Sequence, residues 1–407
     1  MKIEVLGITE DAQLLKAAAK IVWEDSDRPA QEVFFGVPRE FGEYLCCNAD
    51  AFLVASFLPG ITEQERRIAI NEDVCPELQE GLATVVSFFR QWYGRNLRMP
   101  RIETNGKSKW TPGSEPRDAG SFLSGGIDSL ALLRVNHLRY RATDSGRIKH
   151  CFLVYGFDMG SKPGHAKAFA QTVLSLSEVA RDAGVKLVPV HTNIKSLNDG
   201  LQFWMQQFHG ACLAAVGHSV AKRIRSISIA ATHCVSDLHP WGSHPLIDPN
   251  YSSTELRVQH VGIEHSRVAK TQMIADWEAG LQSLRVCTQI DSALRSPSKG
   301  LNCGKCEKCV RTMTALLAVG ALGRTQVFPE NDVSKEMLRS VPVTSNLPVG
   351  YYRELIEPLK LKGRNDLVQV IRRMLLVYRI RERVKRLDQR LFKGVLLRTA
   401  RQLLRKT

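Results

Sequence analysis

The feature that most constrains this chain is a glycine-containing hexapeptide between a short strand predicted at residues 119–123 and a helix predicted to begin near residue 129. Its residues are Ser124, Gly125, Gly126, Ile127, Asp128 and Ser129. Two adjacent glycines allow a tight turn that approaches a ligand without interference from Cβ atoms. Such a turn directs backbone N–H groups to one point beside a helix N-terminus, which carries partial positive charge. The hexapeptide therefore predicts a phosphate-binding loop, to which Ser124 and Ser129 add hydroxyl donors.

Asp128 differs from the rest of this loop because a carboxylate repels phosphate groups unless a cation lies between them. Two roles remain open for this side chain: it is a ligand of Mg²⁺, or it orients the loop. Either role makes it a candidate catalytic residue.

Strand and helix patterns alternate along residues 113–325. Strands are predicted at 150–155, 186–190 and 226–231, and helices at 164–183 and 204–222. This alternation is typical of an α/β fold in which helices cover both faces of a parallel sheet. In such sheets, ligands bind beyond the carboxyl ends of the strands, where the phosphate loop would lie.

The rest of the chain forms two further regions. Residues 1–112 are an α+β N-terminal region of unknown role, with a strand predicted at 2–6 and helices at 11–22 and 76–93. A polar linker rich in Gly, Pro and Ser is predicted at 105–116. Residues 326–407 comprise a polar connection and a basic amphipathic helical tail, whose apolar stripe is Ile380, Val384, Leu387, Leu391 and Val395.

The positive charge of the chain is concentrated in this tail. The formal net charge is +15, and residues 353–407 contain 17 Lys and Arg but 5 Asp and Glu, so +12 of it lies there. Three interpretations of the tail remain open: it packs on the body, it binds nucleic acid, or it lies on an anionic membrane. No run of eighteen apolar residues occurs, and no transmembrane helix is expected.

The cysteines indicate a metal site. Ten cysteines in 407 residues are too dilute for a disulfide scaffold and fit reduced thiols in a cytoplasmic protein. Cys303, Cys306 and Cys309 are separated by two-residue gaps, which let their sulfurs converge on one tetrahedral ion, and Cys287 is the best fourth ligand. Four thiolates leave no open position, which favours a structural Zn²⁺ over a catalytic one. An iron–sulfur cluster is the alternative.

The hexapeptide SGGIDS resembles the PP-loop of the N-type ATP pyrophosphatases, enzymes that cleave ATP between its α and β phosphates. The resemblance implies an adenine nucleotide alpha hydrolase-like domain that binds ATP and Mg²⁺ and transfers AMP to a carboxylate or carbonyl oxygen of an acceptor. Nitrogen or sulfur then displaces AMP. The loop would hold the pyrophosphate, and Tyr155 and Gly156, at the end of the second strand, would meet the adenine.

Together with the later cysteines, the loop resembles the 7-cyano-7-deazaguanine synthase family in particular. That family has one upstream cysteine and then Cys-Gly-x-Cys-x-x-Cys followed by Arg, which this chain matches at Cys287, Cys303, Gly304, Cys306, Cys309 and Arg311. The resemblance covers about residues 118–320, and the gap between the first two cysteines is longer than is usual in the family. We therefore expect a relative that acts on a different or larger acceptor.

Further site residues are implied by this resemblance. Arg267 and Lys270 lie on a predicted helix where relatives direct a lysine at the phosphates, although a solvated helix face would also explain them. A loop after the fourth strand lies at the expected ligand edge and corresponds to a substrate loop of the family. As a group, its residues are expected to line the acceptor pocket: His233, Asp237, His239, His244 and Asp248. For each histidine taken alone, a structural role remains open.

The sequence thus predicts an ATP-dependent ligase that forms a C–N bond. One alternative is a tRNA sulfur transferase of the same superfamily, with the tail on RNA and the cysteines carrying sulfur or a cluster. Another is a nucleotide-binding scaffold without catalysis. A homo-oligomer is also expected.

Overall fold

The computed structural model describes residues 1–11, 13–94, 97–105, 116–160, 162–295, 301–341, 343, 347–392 and 395. The chain divides into two compact units, Met1–Arg285 and Val286–Thr407. The sequence predicts two domain boundaries, near residues 112 and 325, whereas the structure has one division, after Arg285. The difference arises because strands before and after residue 112 belong to one continuous sheet.

The first unit is an α/β structure built on one sheet of ten strands. The strands are β1 Lys2–Glu10, β2 Leu14–Val22, β3 Gln31–Pro38, β4 Arg67–Ile70, β5 Arg101–Thr104, β6 Asp118–Phe122, β7 Ile148–Tyr155, β8 Lys186–Thr192, β9 Ile224–Ala230 and β10 Arg257–Val261. Their order across the sheet is β10-β9-β6-β7-β8-β3-β2-β1-β4-β5. The expectation of an α/β fold with a largely parallel sheet is confirmed.

Strands β6 to β10 form the parallel half of the sheet, and their order creates a crevice. From β6 the chain proceeds outward to β7 and β8, then crosses to the other side of β6 to form β9 and β10. The chain therefore leaves β6 and β9 in opposite directions along the sheet. Such a reversal of strand order opens a ligand crevice at the carboxyl ends of the two strands.

The helix predicted at residues 11–22 is wrong, because this segment forms strand β2. Leucine, alanine and lysine give it high helix propensity, but β2 pairs antiparallel with both β1 and β3. Ala17, Ala18 and Ala19 are buried at the centre of the strand. Tertiary pairing overrides local propensity here. Strand β3 then pairs antiparallel with β8, which joins the N-terminal strands to the parallel half.

Eight α-helices belong to the described part of the first unit. They are α1 Ala49–Thr62, α2 Pro76–Tyr93, α3 Ile127–Arg139, α4 His165–Ala183, α5 Leu201–Phe203, α6 His209–Ser219, α7 Arg267–Ala275 and α8 Glu278–Gln282. A π-helical turn, Trp204–Phe208, joins α5 to α6. Helix α2 has the predicted bounds and buries its predicted apolar face, Leu78, Leu82, Val85 and Phe89.

The second unit is helical in the residues that the structure describes. Its helices are α9 Ile290–Leu294, α10 Glu307–Ala318, α11 Lys335–Arg339, α12 Leu347–Glu354, α13 Ile356–Leu361 and α14 Asn365–Phe392. Most of the linker predicted at 105–116 lies outside the described residues. Among the described helices, none has the length and apolarity that crossing a bilayer would require.

Gly81 on α2 provides a test of the packing in the first unit. Replacement of a helical glycine by alanine ordinarily stabilises a helix by about 1 kcal/mol. Here the added Cβ would lie 2.0 Å from the carbonyl oxygen of Asn250, which belongs to a turn packed against α2. We therefore expect Gly81→Ala to lower the free energy of unfolding by about 2 kcal/mol or more.

The exposed position Ser87 on the same helix is the control, since Ser87→Ala should change the free energy by less than about 0.5 kcal/mol. Chemical denaturation of the full-length protein measures both variants. An increase in stability for Gly81→Ala would show that α2 does not approach the turn this closely.

Candidate functional site

The predicted phosphate loop connects β6 directly to α3, as the sequence indicates. Gly125 has a φ of +79°, which side-chain-bearing residues rarely adopt, and its carbonyl oxygen accepts a 2.8 Å hydrogen bond from the N–H of Arg285. Gly126 is the residue that precedes helix α3. The first N–H groups of a helix have no acceptor within the helix. The loop therefore presents backbone donors at the carboxyl end of β6, where the crevice lies.

The two serines stabilise the shape of this loop. The Oγ of Ser129 donates to the carbonyl oxygen of Gly126 at 3.1 Å and lies 3.3 Å from the Oγ of Ser124. It also accepts a 3.2 Å hydrogen bond from the N–H of Ser124. Since Ser129 is buried and Ser124 is exposed, Ser129 closes the turn, while Ser124 is the serine accessible to a ligand.

Asp128 lies between two cationic side chains from α7. Its carboxylate accepts a hydrogen bond of 3.1 Å from Arg267 and one of 3.2 Å from the Nζ of Lys270. The Nζ of Lys270 also donates to the carbonyl oxygen of Ala231, just after β9, at 2.6 Å. Lys270 is only 3% exposed, so this ammonium group is a buried charge held by the loop and by the end of β9. The structure thus brings together the three predicted catalytic residues.

His233 lies beside the charged cluster of Asp128, Arg267 and Lys270. It lies in the segment after β9, close enough to Asp128, Arg267 and Lys270 for their charges to act on its imidazole. Burial, His239 and the two cations lower the pKa of His233 to about 3, against the opposing effect of Asp128. The imidazole is therefore neutral near pH 7. Trp241 contacts it edge-on, with ring centroids 5.8 Å apart.

Asp237, His244 and Asp248 have other partners in the structure. The carboxylate of Asp237 accepts a hydrogen bond from the thiol of Cys234, with 3.5 Å between the sulfur and the oxygen. The ring of His244 lies edge-on to Trp92, and its Nδ1 accepts from the N–H of Leu246. Asp248 is fully buried and accepts hydrogen bonds from Ser243, His260 and the backbone of His244. Asp248 therefore stabilises the loop after β9 from inside.

Tyr155 and Gly156 lie at the carboxyl end of β7, next to β6 in the sheet. The hydroxyl of Tyr155 donates to the carbonyl oxygen of Gly160 at 2.6 Å, and its ring contacts Phe169 and His191. Gly156 has a φ of +120°, and a Cβ there would lie 1.8 Å from the carbonyl oxygen of Thr192. The close approach of two chain segments requires glycine at this position.

A groove of about 620 Å³ begins beside Asp128 and Lys270. It follows α3 and is also lined by strands β9 and β10, with Ser228 and Gln259 among its polar side chains. This volume is within the range of small-molecule sites. The charged cluster is therefore adjacent to enough space for a ligand.

The four predicted cysteines converge in the second unit. Their sulfur atoms all lie within 4.8 Å of one another, with 3.8 Å between Cys287 and Cys306 and 3.9 Å between Cys303 and Cys309. A tetrahedral ion about 2.3 Å from each sulfur would require sulfur–sulfur separations of about 3.8 Å. This buried group could hold a metal ion such as zinc.

Backbone N–H groups can stabilise thiolates in this group. The N–H groups of Lys305 and Cys306 donate to the sulfur of Cys303, and that of Gln289 donates to the sulfur of Cys287. Hydrogen bonds with neighbouring thiols hold the pKa of Cys306 well below its usual range, while the same contacts raise the pKa of Cys287 and of Cys309. Cys306 therefore favours the thiolate, the form of cysteine that binds metal, whereas Cys287 and Cys309 would lose their protons to a bound metal ion.

Gly304 and Asn302 shape this four-cysteine group. Gly304 has a φ of +70°, and a Cβ there would lie 2.5 Å from the Cγ of Pro329. Asn302 is fully buried, and its Oδ1 accepts from the N–H groups of Val286 and Cys287 at 2.9 and 3.2 Å. Asn302 therefore joins the segment that carries the first cysteine to the segment that carries the others.

Sequence reasoning missed Asn302, Ala231 and Trp241. Asn302 and Trp241 act through contacts that sequence spacing does not reveal, and Ala231 contributes only its backbone carbonyl. The position of Asn302 directly before Cys303 was the only available signal.

Comparisons with known proteins add no family assignment, because no family model, curated protein or solved structure matches this chain. The fold and site therefore define it only as an α/β protein with a glycine-containing loop at a strand-order crevice and a separate four-cysteine group.

The buried neutral His233 should make folding sensitive to acid. Its imidazole stays neutral in the folded protein down to a pH near its pKa of about 3, whereas it gains a proton near pH 6.5 in the unfolded chain. Lowering the pH through this window therefore favours the unfolded state. The variant His233→Gln has no side chain at this position that takes up a proton in this pH range. Between about pH 8 and pH 5, wild-type protein should lose about 2 kcal/mol of stability relative to the variant.

Denaturant unfolding of both proteins at the two pH values measures this difference. The comparison is internal, since every other group titrates in both proteins. Equal losses of stability would show that His233 becomes protonated in the folded protein.

Proposed function

We propose that this chain is an ATP-dependent ligase of the PP-loop type. It would cleave ATP to AMP and pyrophosphate, adenylate a carboxylate or carbonyl oxygen of an acceptor, and release AMP when nitrogen attacks. The observation that carries this proposal is the loop at 124–129, beside a buried Lys270 and Arg267, at the crevice between β6 and β9.

The loop suits a leaving pyrophosphate. Backbone donors at the start of α3 and the partial positive charge of the helix would bind the β and γ phosphates. Lys270 and Arg267 would stabilise the negative charge that develops on the leaving oxygen as the bond to the α phosphorus breaks. The buried ammonium group acts where the effective dielectric constant is low, so its contribution is larger than in water.

Asp128 would hold the two cations in position before ATP arrives. Its two oxygens contact one cation each, so the Asp128–Arg267–Lys270 cluster has a net charge of +1 when all three are ionised. Asp128 would also be the carboxylate nearest to a Mg²⁺ ion that accompanies ATP. Such an ion, when bound, neutralises phosphate charge and orients the chain of phosphates.

The proposed reaction has two steps. A carboxylate oxygen of the acceptor attacks the α phosphorus, the bond to the bridging oxygen breaks, and pyrophosphate leaves into the loop. Ammonia or an amine then attacks the acceptor carbon and loses a proton. AMP departs and keeps the acceptor oxygen that is bonded to its phosphorus. The neutral imidazole of His233 lies beside this region and would offer a hydrogen bond without adding charge.

The cysteine group favours a ligase over a sulfur transferase. All four sulfurs face one another, and three of the cysteines are buried. Four thiolates on one Zn²⁺ ion form a closed site, which leaves none of these four sulfurs available to carry a transferred atom. We propose that zinc stabilises the second unit and takes no part in the reaction.

Pyrophosphate binding tests the role of Lys270. Charge-assisted hydrogen bonds contribute about 1.5–3 kcal/mol each, so Lys270→Met should weaken the binding of inorganic pyrophosphate about 10- to 100-fold. Lys167→Met is the matched control, because Lys167 is an exposed lysine on α4. Titration calorimetry on the full-length protein measures all three affinities. Unchanged affinity in a folded Lys270→Met variant would remove Lys270 from the site.

The products of ATP cleavage test the reaction class. Full-length protein incubated with ATP, Mg²⁺, ammonium and a small-metabolite extract should release AMP and pyrophosphate. Attack on the γ phosphorus would instead give ADP and phosphate, and that outcome would contradict the proposal.

Metal content tests the cysteine site. The purified protein should contain one zinc ion per chain, and Cys306→Ser should lose it and unfold more readily because metal-binding energy contributes to folding. Cys47→Ser is the control, since Cys47 is half-buried and lies outside the group. Elemental analysis decides the result, and iron at one or more atoms per chain would contradict the zinc assignment.

A further inference from the structure

Helix α14 has two apolar faces on different sides. The first half packs against α11, α12 and α13. Its buried apolar residues are Leu367, Val368, Val370, Ile371, Leu375 and Tyr378, and at 3.6 residues per turn they lie within about 160° of the helix circumference. This face anchors the helix to the second unit.

The second apolar face is exposed to solvent. It comprises Leu376, Val377, Ile380, Val384, Leu387 and Leu391, which are 49–69% exposed. We name these six residues the outer stripe. They lie within about 100° of the circumference, and the centre of this arc is about 150° from the centre of the packed face. The outer stripe therefore faces away from the helices that pack against the first half of α14, although Asp388, at one edge of the stripe, is buried.

Basic side chains lie near both edges of the outer stripe. Arg383 and Arg390 flank one edge and Arg381 flanks the other, and all three are exposed, while the buried Asp388 also lies at the second edge. Residues 372–392 contain eight Lys and Arg but two acidic residues. Long basic side chains beside an apolar stripe can reach phosphate groups while the stripe enters an acyl layer.

Two other occupants fit this surface less well. RNA would satisfy the basic residues but leave the outer stripe in water. Of the two aromatic side chains in the helix, Tyr378 is buried on the packed face, and the exposed Phe392 at the last residue offers a single stacking surface. A second copy of α14 would bury the stripe but place two strongly basic helices side by side. The stripe also spans about two heptads, fewer than a stable coiled coil needs.

We propose that the second half of α14 lies on the surface of an anionic lipid bilayer, with the outer stripe in the acyl layer and the flanking arginines at the headgroups. The outer stripe is about 24 Å long, which suits a helix parallel to the surface. Peripheral binding of this kind requires no spanning helix. It would localise the protein without involving the phosphate loop.

Vesicle co-sedimentation of the full-length protein tests this proposal. Vesicles of phosphatidylcholine with one third phosphatidylglycerol should bind the protein, and vesicles of phosphatidylcholine alone should bind it at least about 10-fold more weakly. Ile380→Gln, Val384→Gln and Leu387→Gln together change no charge but remove three apolar contacts. This triple variant should bind anionic vesicles at least about 100-fold more weakly than wild type.

Leu361→Gln is the matched control, because Leu361 is 88% exposed in the same unit but lies outside the outer stripe. It should bind as wild type does. Circular dichroism confirms folding of the triple variant, and the comparison of the two vesicle types with wild-type protein needs no variant at all.

Three outcomes would overturn the proposal. The first is equal binding of wild-type protein to both vesicle types, or to neither. The second is equal binding of the folded triple variant and wild type to anionic vesicles, which would make the surface purely electrostatic, as for RNA. The third is a wild-type dimer that ignores vesicles and that the triple substitution converts to a monomer.

Discussion

The buried ammonium group of Lys270 is the charge on which the candidate site depends. A charge removed from water is stable only when it is paired and hydrogen-bonded. Asp128 supplies the charge partner from the loop after β6, and Ala231 supplies a carbonyl oxygen from the end of β9. One side chain therefore ties together the two strands that flank the crevice. The loop at 124–129, α7 and the segment that contains His233 meet around this ammonium group.

Much of this arrangement could be predicted from the sequence. The strand–loop–helix context of the glycines, the spacing of the cysteines and the bounds of α2 all depend on local pattern, which a single sequence displays. The convergence of Cys287 with the other three cysteines was inferred from ligand number alone, and the four sulfurs do lie together. The identity of the ligands, the reaction and the PP-loop relationship stay predictions.

What the sequence could not reveal depends on contacts between distant segments. Residues 11–22 have the composition of a helix. They form strand β2 instead, because this segment pairs with β1 on one side and with β3 on the other. Because β3 pairs with β8, the strands before and after residue 112 belong to a single compact unit. Likewise, Asp248 is suited to a ligand pocket by its chemistry, yet three internal donors occupy its oxygens.

The most direct test of the account is a crystal structure of the full-length protein with α,β-methylene-ATP and Mg²⁺, since the bridging carbon prevents cleavage at the proposed bond. We predict that the β and γ phosphates lie against the N–H groups at the start of α3, with the Nζ of Lys270 within about 3 Å of a phosphate oxygen. A nucleotide bound with its phosphates elsewhere, and Lys270 still paired only with Asp128 and Ala231, would contradict the central claim.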